Sequence, residues 1–167
     1  QKIFLSILAS IIEGGPPPIK IDTVLEYILA KNQNDPGFLS KLLALPSTED
    51  LTVYLLKKKQ FIDPEKIETA KEKLDRMMAD SLKTDLEDRY GSISLKSNEF
   101  DKFNAGKRSL RNRYLDFITA LDTKAEESQF CFSNSKNMTE ILHSLKLLVK
   151  TGNGTDALSY FYDKWRD

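Results

Sequence analysis

Several short segments of the sequence have the composition of a helix N-terminus, and they divide the chain into helix-length pieces. Ser47-Thr48-Glu49-Asp50 places a capping hydroxyl before acids, and Asp63-Pro64 places a capping acid before a proline at the first helical position. Asn137-Met138-Thr139-Glu140 is a further start signal, as is the pair Thr123 and Glu126. This density of start signals favours a chain made mostly of helices.

Apolar residues between these signals recur at three- and four-residue steps, which is the period of an amphipathic α-helix. The spacing predicts about nine helices and no convincing strand. Asp22 is the predicted cap of the second helix, and Ser97 or Asn98 caps the helix that contains residues 106–118. One long helix is predicted from Asp63-Pro64 to about Gly91, with a length of roughly 40 Å.

The same spacing predicts which side chains are buried in three of the helices. Around residues 103–121 one face carries Phe103, Leu110, Tyr114, Phe117, Ile118 and Leu121. The buried side of the helix after Asn137 is predicted to be Ile141, Leu142, Leu145 and Leu148. The apolar residues of the last helix are Ala157, Leu158, Phe161 and Trp165.

The connections between predicted helices are mostly two to eight residues long, so sequential helices are expected to be antiparallel neighbours. Helical hairpins that each leave an apolar side uncovered must stack, which gives a bundle or a HEAT-like superhelical array. The predicted fold is therefore all-α, as a single helical domain over residues 1–167. The repeats are expected to be degenerate, because no strict sequence period is visible.

The densest positive run of the chain lies within one of these helices, at residues 106–118. Lys107 projects into the apolar stripe and Arg111 stands at its edge. Lys107, Arg108, Arg111 and Arg113 allow two interpretations, a nucleic-acid patch or cations that meet partners inside a packed protein. The chain has 25 basic and 25 acidic residues, and this neutral balance argues against nucleic acid. We therefore expect Arg111 to bond carboxylates or helix-end carbonyls of neighbouring helices, and Lys107 to be able to reach the same acceptor as Arg111.

Residues that could carry chemistry are few. His143 is the only histidine of the chain and Cys131 is its only cysteine. No disulfide can therefore form within the chain, and a zinc site is not expected in this segment, because zinc needs several such ligands. Cys131 is interpreted as a buried structural thiol, and His143 as exposed or at the edge between two helices. The sequence contains no zinc-hydrolase, nucleophile-elbow, phosphate-loop or dinucleotide motif, and no catalytic, cofactor-binding or metal-binding residue is predicted.

Two further features concern location. No run of eighteen apolar residues is present, so no membrane span is predicted, and the cysteine content favours the cytoplasm. The absence of an initiator Met before Gln1 indicates a processed chain or a piece of a longer one, and a targeting signal upstream would not be visible. Asn137 and Asn153 match the glycosylation acceptor pattern, but a capping role explains both.

Five segments, in order, resemble the C-terminal helical domain of the aminopeptidase N type zinc aminopeptidases, in their bacterial and apicomplexan alanyl aminopeptidase branch. They are Leu43-Ala44-Leu45-Pro46-Ser47, Ile62-Asp63-Pro64-Glu65-Lys66-Ile67, Lys107-Arg108-Ser109-Leu110-Arg111-Asn112, Asn137-Met138-Thr139-Glu140 and Ala157-Leu158-Ser159-Tyr160-Phe161-Tyr162-Asp163-Lys164-Trp165. Ser109, Glu140 and Ile141 depart from the residues that the family prefers at these positions. The departure at Ile141 weakens any expectation about a contact made there.

The resemblance implies a parent enzyme that releases N-terminal residues from peptides. A zinc ion in a catalytic domain upstream, held by a His-Glu-x-x-His motif and a distant Glu, would activate water. Residues 1–167 would be the first part of the C-terminal domain, which packs on the catalytic domain and helps to enclose the substrate cavity. The expected partners are that catalytic domain and the peptide substrate, without nucleic acid or membrane. The alternative is a free-standing helical-repeat scaffold that binds proteins.

Overall fold

The computed structural model describes residues 2–16, 20–58, 62–93, 102–121 and 125–166. Within these ranges the regular structure consists of ten α-helices, with no strand, which confirms the predicted all-α class and comes close to the predicted nine helices. The helices are α1 (Lys2–Ile12), α2 (Ile21–Lys31), α3 (Pro36–Leu43), α4 (Thr48–Lys57), α5 (Pro64–Leu82), α6 (Leu86–Ser92), α7 (Lys102–Leu121), α8 (Glu126–Asn134), α9 (Met138–Lys150) and α10 (Thr155–Trp165).

Three of the predicted start signals form N-caps. The side chains of Ser47, Asp63 and Asn137 accept hydrogen bonds from backbone N–H groups of the first turns of α4, α5 and α9. Asp35 caps α3 in the same way, with Pro36 at its first position, and this start signal was not among those predicted. These caps satisfy N–H groups that have no acceptor within their own helix.

Other predicted caps are wrong or lie outside the described residues. Asp22 does not cap α2, because the helix begins at Ile21 and Asp22 already lies within its first turn. Asn153 does not cap α10, whose N-cap position is Gly154; its side chain instead donates to the backbone oxygen of Thr151. The predicted caps Ser97, Asn98 and Thr123 are outside the described ranges, and Glu126, which the start signal places three positions after its cap, is the first residue of α8 after Ala125 at the N-cap position.

The helix predicted to run from Pro64 to about Gly91 is two helices, α5 and α6, separated by a turn at residues 83–85. The backbone N–H of Lys83 bonds the oxygen of Asp80, three residues back, and the regular helical ladder ends there. Leu82 and Leu86 are both buried and remain four residues apart across the turn. The apolar period therefore continues through the break, which is why the sequence did not reveal it.

Helix α7 is the centre of the fold. It contacts α3, α5, α6, α8 and α9, and its side chains Leu110, Tyr114 and Phe117 join the main hydrophobic core. Phe117 is fully buried, as predicted, but Phe103 is 55% exposed and lies under the ammonium group of Lys107 instead of in the core. A smaller cluster joins α8, α9 and α10, with Leu148 fully buried.

Two of the predicted apolar faces are only partly buried. Leu142 in α9, and Leu158 and Trp165 in α10, are each about half exposed, whereas Leu145, Leu148 and Ala157 are buried as expected. The helical period locates an apolar face, but the neighbouring helices decide how much of that face they cover. None of the helices in the described ranges combines the length and apolar character that crossing a membrane requires.

Helices α3 and α7 cross at a pair of glycines, Gly37 and Gly106. A Cβ placed on Gly106 would lie 2.8 Å from the backbone nitrogen and 3.0 Å from the Cα of Gly37. A side chain at Gly106 would therefore displace backbone rather than a movable group. This explains why a glycine stands inside the helix, although it costs about 1 kcal/mol of helix propensity relative to Ala. Gly106 therefore marks a close crossing of two helices.

Candidate functional site

The positive run of α7 is mostly directed into the protein. Arg108 and Arg113 are each 8% exposed, and Arg111 and Lys107 are partly buried. Binding to nucleic acid depends on cations that can reach the phosphate backbone and displace its counterions. Side chains buried to this extent do not form such a surface, and the interior alternative is the one that the structure supports.

Arg113 links three helices. Its Nε donates to the backbone oxygen of Leu43 at the end of α3, at 3.0 Å, its Nη2 bonds Asp75 of α5, and its Nη1 lies 3.3 Å from Asp116 of α7. Its guanidinium also lies 4.2 Å from the ring centroid of Phe117. The bond to a helix-end carbonyl that the sequence led us to expect from Arg111 is therefore made by Arg113.

Arg111 binds a carboxylate of a neighbouring helix, as predicted. Its Nη1 donates to Glu140 of α9 at 2.8 Å, and its guanidinium lies 4.4 Å from the ring centroid of Tyr90 in α6. Glu140 is only 6% exposed, so its charge is neutralised chiefly by this one partner. Glu140 thus makes this contact between helices, although it also lies three residues after the cap Asn137.

His143 lies at the edge between α7 and α9, one of the two positions expected for it. Its Nε2 is 2.7 Å from Asp116 Oδ1 and 3.1 Å from the backbone oxygen of Asn112. Both partners are acceptors, so Nε2 carries the hydrogen and donates. His143 and Arg113 thus bind different oxygens of the same carboxylate.

The carboxyl of Asp116 responds to opposing influences. Burial favours its neutral form and would raise its pKa, but the hydrogen bond and charge of His143, followed by those of Arg113, lower the pKa by more. The pKa of Asp116 is therefore below its usual value. Asp116 is held as an anion, and it ties α7 to α9 through His143.

A cleft of about 390 Å³ opens between α3, α7 and α9 beside this network. Its lining includes Ser40, Arg108, Ser109, Asn112, Asp116 and His143. Three of the five segments that carry the resemblance contribute to it, through Ala44, through the residues at 108–112 and through Thr139. Sequence analysis did not predict this cleft, because α3, α7 and α9 are far apart in the chain.

Cys131 is buried, as expected, with its sulfur 3.3 Å from Ser135 Oγ. Burial and then the nearby Cys131 raise the pKa of the Tyr90 hydroxyl well above its ordinary value. Within the described ranges, no group of three or more His, Cys, Asp or Glu side chains could hold a metal ion. The arrangement of these residues links helices through charge, and the polar cleft between α3, α7 and α9 is open to a ligand.

A family model described as a domain of unknown function (DUF3458_C) with ARM repeats matches residues 1–167, the whole chain. The chain belongs to this family. The assignment agrees with the stacked-helix architecture predicted from the short connections. The cleft between α3, α7 and α9 therefore lies in a part of the chain that the ARM-repeat family model covers.

Two relatives of this DUF3458_C domain are named Aminopeptidase N. The protein from Caulobacter vibrioides is 30% identical over 145 residues, which cover 83% of this chain and 16% of the relative. The protein from Haemophilus influenzae is 26% identical over 149 residues, which cover 88% of this chain and 17% of the relative. The chain thus spans about a sixth of the length of each relative, and the similarity expected from the five segments is confirmed.

A solved structure shares the fold of this DUF3458_C domain. It is a crystal structure of Legionella pneumophila aminopeptidase A in complex with aspartic acid, which superposes with a TM-score of 0.80 at 22% identity. The match covers 99% of this chain and 21% of that protein. At this level of identity the superposition supports the helical architecture.

Proposed function

We propose that residues 1–167 are a non-catalytic helical segment of a zinc aminopeptidase that releases N-terminal amino acids from peptides. In this proposal the segment is the first part of a C-terminal domain, packs on a catalytic domain upstream and helps to enclose the substrate cavity. The observation that carries the proposal is similarity to two proteins named Aminopeptidase N over 83% and 88% of the chain. Because those relatives are about five times as long, as the shares of 83% of this chain and 16% of the relative imply, the chemistry is assigned to parts of the polypeptide outside these residues.

Zinc would supply a water of lowered pKa as the nucleophile when bound in the upstream domain. The residues described here do not fit a zinc site, since they contain no group of three or more His, Cys, Asp or Glu side chains that could ligate one ion. Their contribution to the reaction would be the wall of the cavity and its charge.

Helix α10 supplies a surface that suits packing against further polypeptide. Tyr160 and Tyr162 are 59% and 64% exposed, and Leu158 and Trp165 are about half exposed. Leu158, Tyr162 and Trp165 are spaced at i, i+4 and i+7 and mark one interaction face, whereas the ring of Tyr160 packs edge-on against Phe132 of α8. The same surface also favours the alternative proposal, a helical-repeat scaffold that binds another protein, so α10 alone does not separate the two.

The decisive experiment compares the 167-residue chain with a polypeptide extended to the length of its relatives. Each would be assayed for release of 4-nitroaniline from alanine 4-nitroanilide and for zinc content by mass spectrometry. We expect activity and about one zinc per molecule in the extended polypeptide, and neither in the 167-residue chain. The parent would be expected in the cytoplasm on the basis of its cysteine content here.

Two results would contradict the proposal. One is an extended reading frame that lacks a His-Glu-x-x-His motif upstream of Gln1. The other is an extended polypeptide that holds zinc but does not cleave the substrate. A reading frame bounded by start and stop codons at residues 1 and 167 would favour the scaffold instead.

A further inference from the structure

Arg108 is buried in the cleft without an acceptor. It is 8% exposed, and within the described part of the chain its guanidinium has no hydrogen-bond or ion-pair partner, in contrast to Arg111 and Arg113 on the same helix. An arginine stays charged at any pH at which the protein is folded, so it cannot lose this charge by deprotonation. Among the described residues the fully buried side-chain atoms without a partner are Arg89 Nε and Tyr90 Oη, so the Arg108 nitrogens reach the solvent of the cleft, where an anion from outside these residues can bind them.

The surroundings of Arg108 supply further hydrogen-bond donors. Asn112 stands four residues later on the same side of α7 and also lines the cleft. Thr139 lines it from the first turn of α9, the end at which the helix dipole favours negative charge. Ser40 and Ser109 meet at 2.9 Å and bring a hydroxyl pair to the wall between α3 and α7.

The charge of the cleft limits the class of anion. The positive charge of Arg113 is offset by its two partners, Asp75 and Asp116, which leaves Arg108 as the uncompensated cation among the described lining residues. A phosphate dianion would bring a second negative charge to a cleft that Asp116 already lines. A planar carboxylate carries one charge, and the guanidinium can bind both of its oxygens at once.

We propose that the cleft between α3, α7 and α9 is a carboxylate-binding site, with Arg108 as its anchor and Asn112 as a second donor. Two sources can supply this group, the free carboxyl end of a peptide or an acidic side chain from another part of a longer polypeptide. The inference concerns binding by these residues, so it stands or falls independently of any peptidase activity.

The first test measures binding in the 167-residue chain labelled with ¹⁵N. Trialanine is titrated against the side-chain Nε–H signal of Arg108 and the amide signals of Asn112, and trialanine amide, which lacks the carboxylate, is the matched probe. We expect saturable shifts with trialanine only, and at least a tenfold loss of affinity in Arg108→Gln. Arg76→Gln, which changes an exposed arginine on α5, is expected to bind as the parent chain does.

The second test measures thermal stability without any peptide. If Arg108 is an uncompensated cation, Arg108→Gln raises the Tm of the 167-residue chain by about 3 °C. A fall in Tm would show that Arg108 is a structural anchor and would overturn the proposal. So would equal shifts with trialanine and its amide, or shifts that do not saturate.

The same variant in a longer polypeptide distinguishes the two sources of the carboxylate. If an acidic side chain of that polypeptide occupies the cleft, Arg108→Gln lowers its Tm and trialanine has no effect. If the ligand is free, trialanine raises the Tm of the longer polypeptide, and Arg108→Gln abolishes that rise. Failure to observe either effect would contradict the proposal.

Discussion

Two sides of α7 each direct an arginine toward neighbouring helices, and the two arginines are buried to different extents. Toward α3 and α5, Arg113 is 8% exposed and has three oxygen acceptors, about two helical turns after Gly106 on the same side of α7. Toward α9, the side chain of Arg111 is 23% exposed and has one carboxylate partner. Removing one partner of a buried charge network costs far more than removing one from an exposed pair. The loss of stability on removing each arginine is therefore set by how many buried groups are left unsatisfied, rather than by how many ion pairs the arginine forms.

The largest effect is expected from Arg113→Ala. This change leaves Asp75, Asp116 and the carbonyl of Leu43 without their shared donor, and we expect it to lower the free energy of unfolding by about 3–5 kcal/mol. Urea unfolding followed by circular dichroism would measure the loss. The matched control is Arg76→Ala on the exposed side of α5, for which a change within about 0.5 kcal/mol is expected. Similar losses in the two variants would contradict the ranking.

The next effect tests the close approach on the same side of α7. Gly106→Ala forces a Cβ against the backbone of Gly37, so α3 and α7 must separate, and we expect a loss of about 2–3 kcal/mol in unfolding free energy. Gly91→Ala is the control, because a Cβ at Gly91 in α6 meets nothing within 4 Å. That change should stabilise the protein by about 0.5–1 kcal/mol, since alanine restricts the unfolded chain. If both changes stabilise, the crossing is not tight.

On the α9 side, Arg111→Ala is expected to lower the unfolding free energy by about 2 kcal/mol, because Glu140 would be left buried without its partner. Lys150→Ala is the control, since Lys150 forms an ion pair with Glu72 in which both side chains are about half exposed. Chemical unfolding of this control should differ from the parent by less than about 0.5 kcal/mol. A loss below about 0.5 kcal/mol for Arg111→Ala would show that its guanidinium is simply solvated.

The smallest effect is expected at Asp116, the residue that contacts both Arg113 and His143, and this effect depends on pH. The pKa of Asp116 is lower in the folded protein than in the unfolded chain, so its ionisation contributes stability above the unfolded value of about 3.9. That contribution is lost as the pH falls through the folded pKa. Asp116→Asn should therefore cost about 1–1.5 kcal/mol at pH 7, as the loss of charged hydrogen bonds does, and less in acid. Unfolding curves between pH 7 and pH 2 would show it; a constant difference over that range would contradict the assignment.

Local signals of the sequence predicted helix starts well. Ser47, Asp63 and Asn137 each bond a backbone N–H two or three residues ahead, so all the information lies within a few positions. Asp22 has the same composition signal but lies one position inside its helix, and the sequence alone does not fix that offset. The turn at residues 83–85 escaped prediction because the apolar spacing of Leu82 and Leu86 is that of an unbroken helix.

The site was less predictable than the fold, because its contacts join residues that are distant in sequence. Arg113 and Asp75 are 38 positions apart, and His143 and Asp116 are 27 apart. The run at 106–118 indicated that its cations meet partners inside a packed protein, and for Arg111 the predicted carboxylate partner on a neighbouring helix is confirmed. Which acceptor each arginine meets, and that Arg108 meets none among the described residues, depends on how α3, α5 and α9 pack around α7.

The glycine crossing also bears on how the chain reaches its native state. Beside it, Ser40 and Ser109 are bonded across 69 positions of sequence, so α3 gains its main neighbour only after α7 has arrived. Closing so large a loop is entropically costly before its contacts form, and folding slows as the separation between contacting residues grows. Residues 2–58 therefore hold only part of a core, and we expect α1 to α7 to become stable together as one cooperative unit.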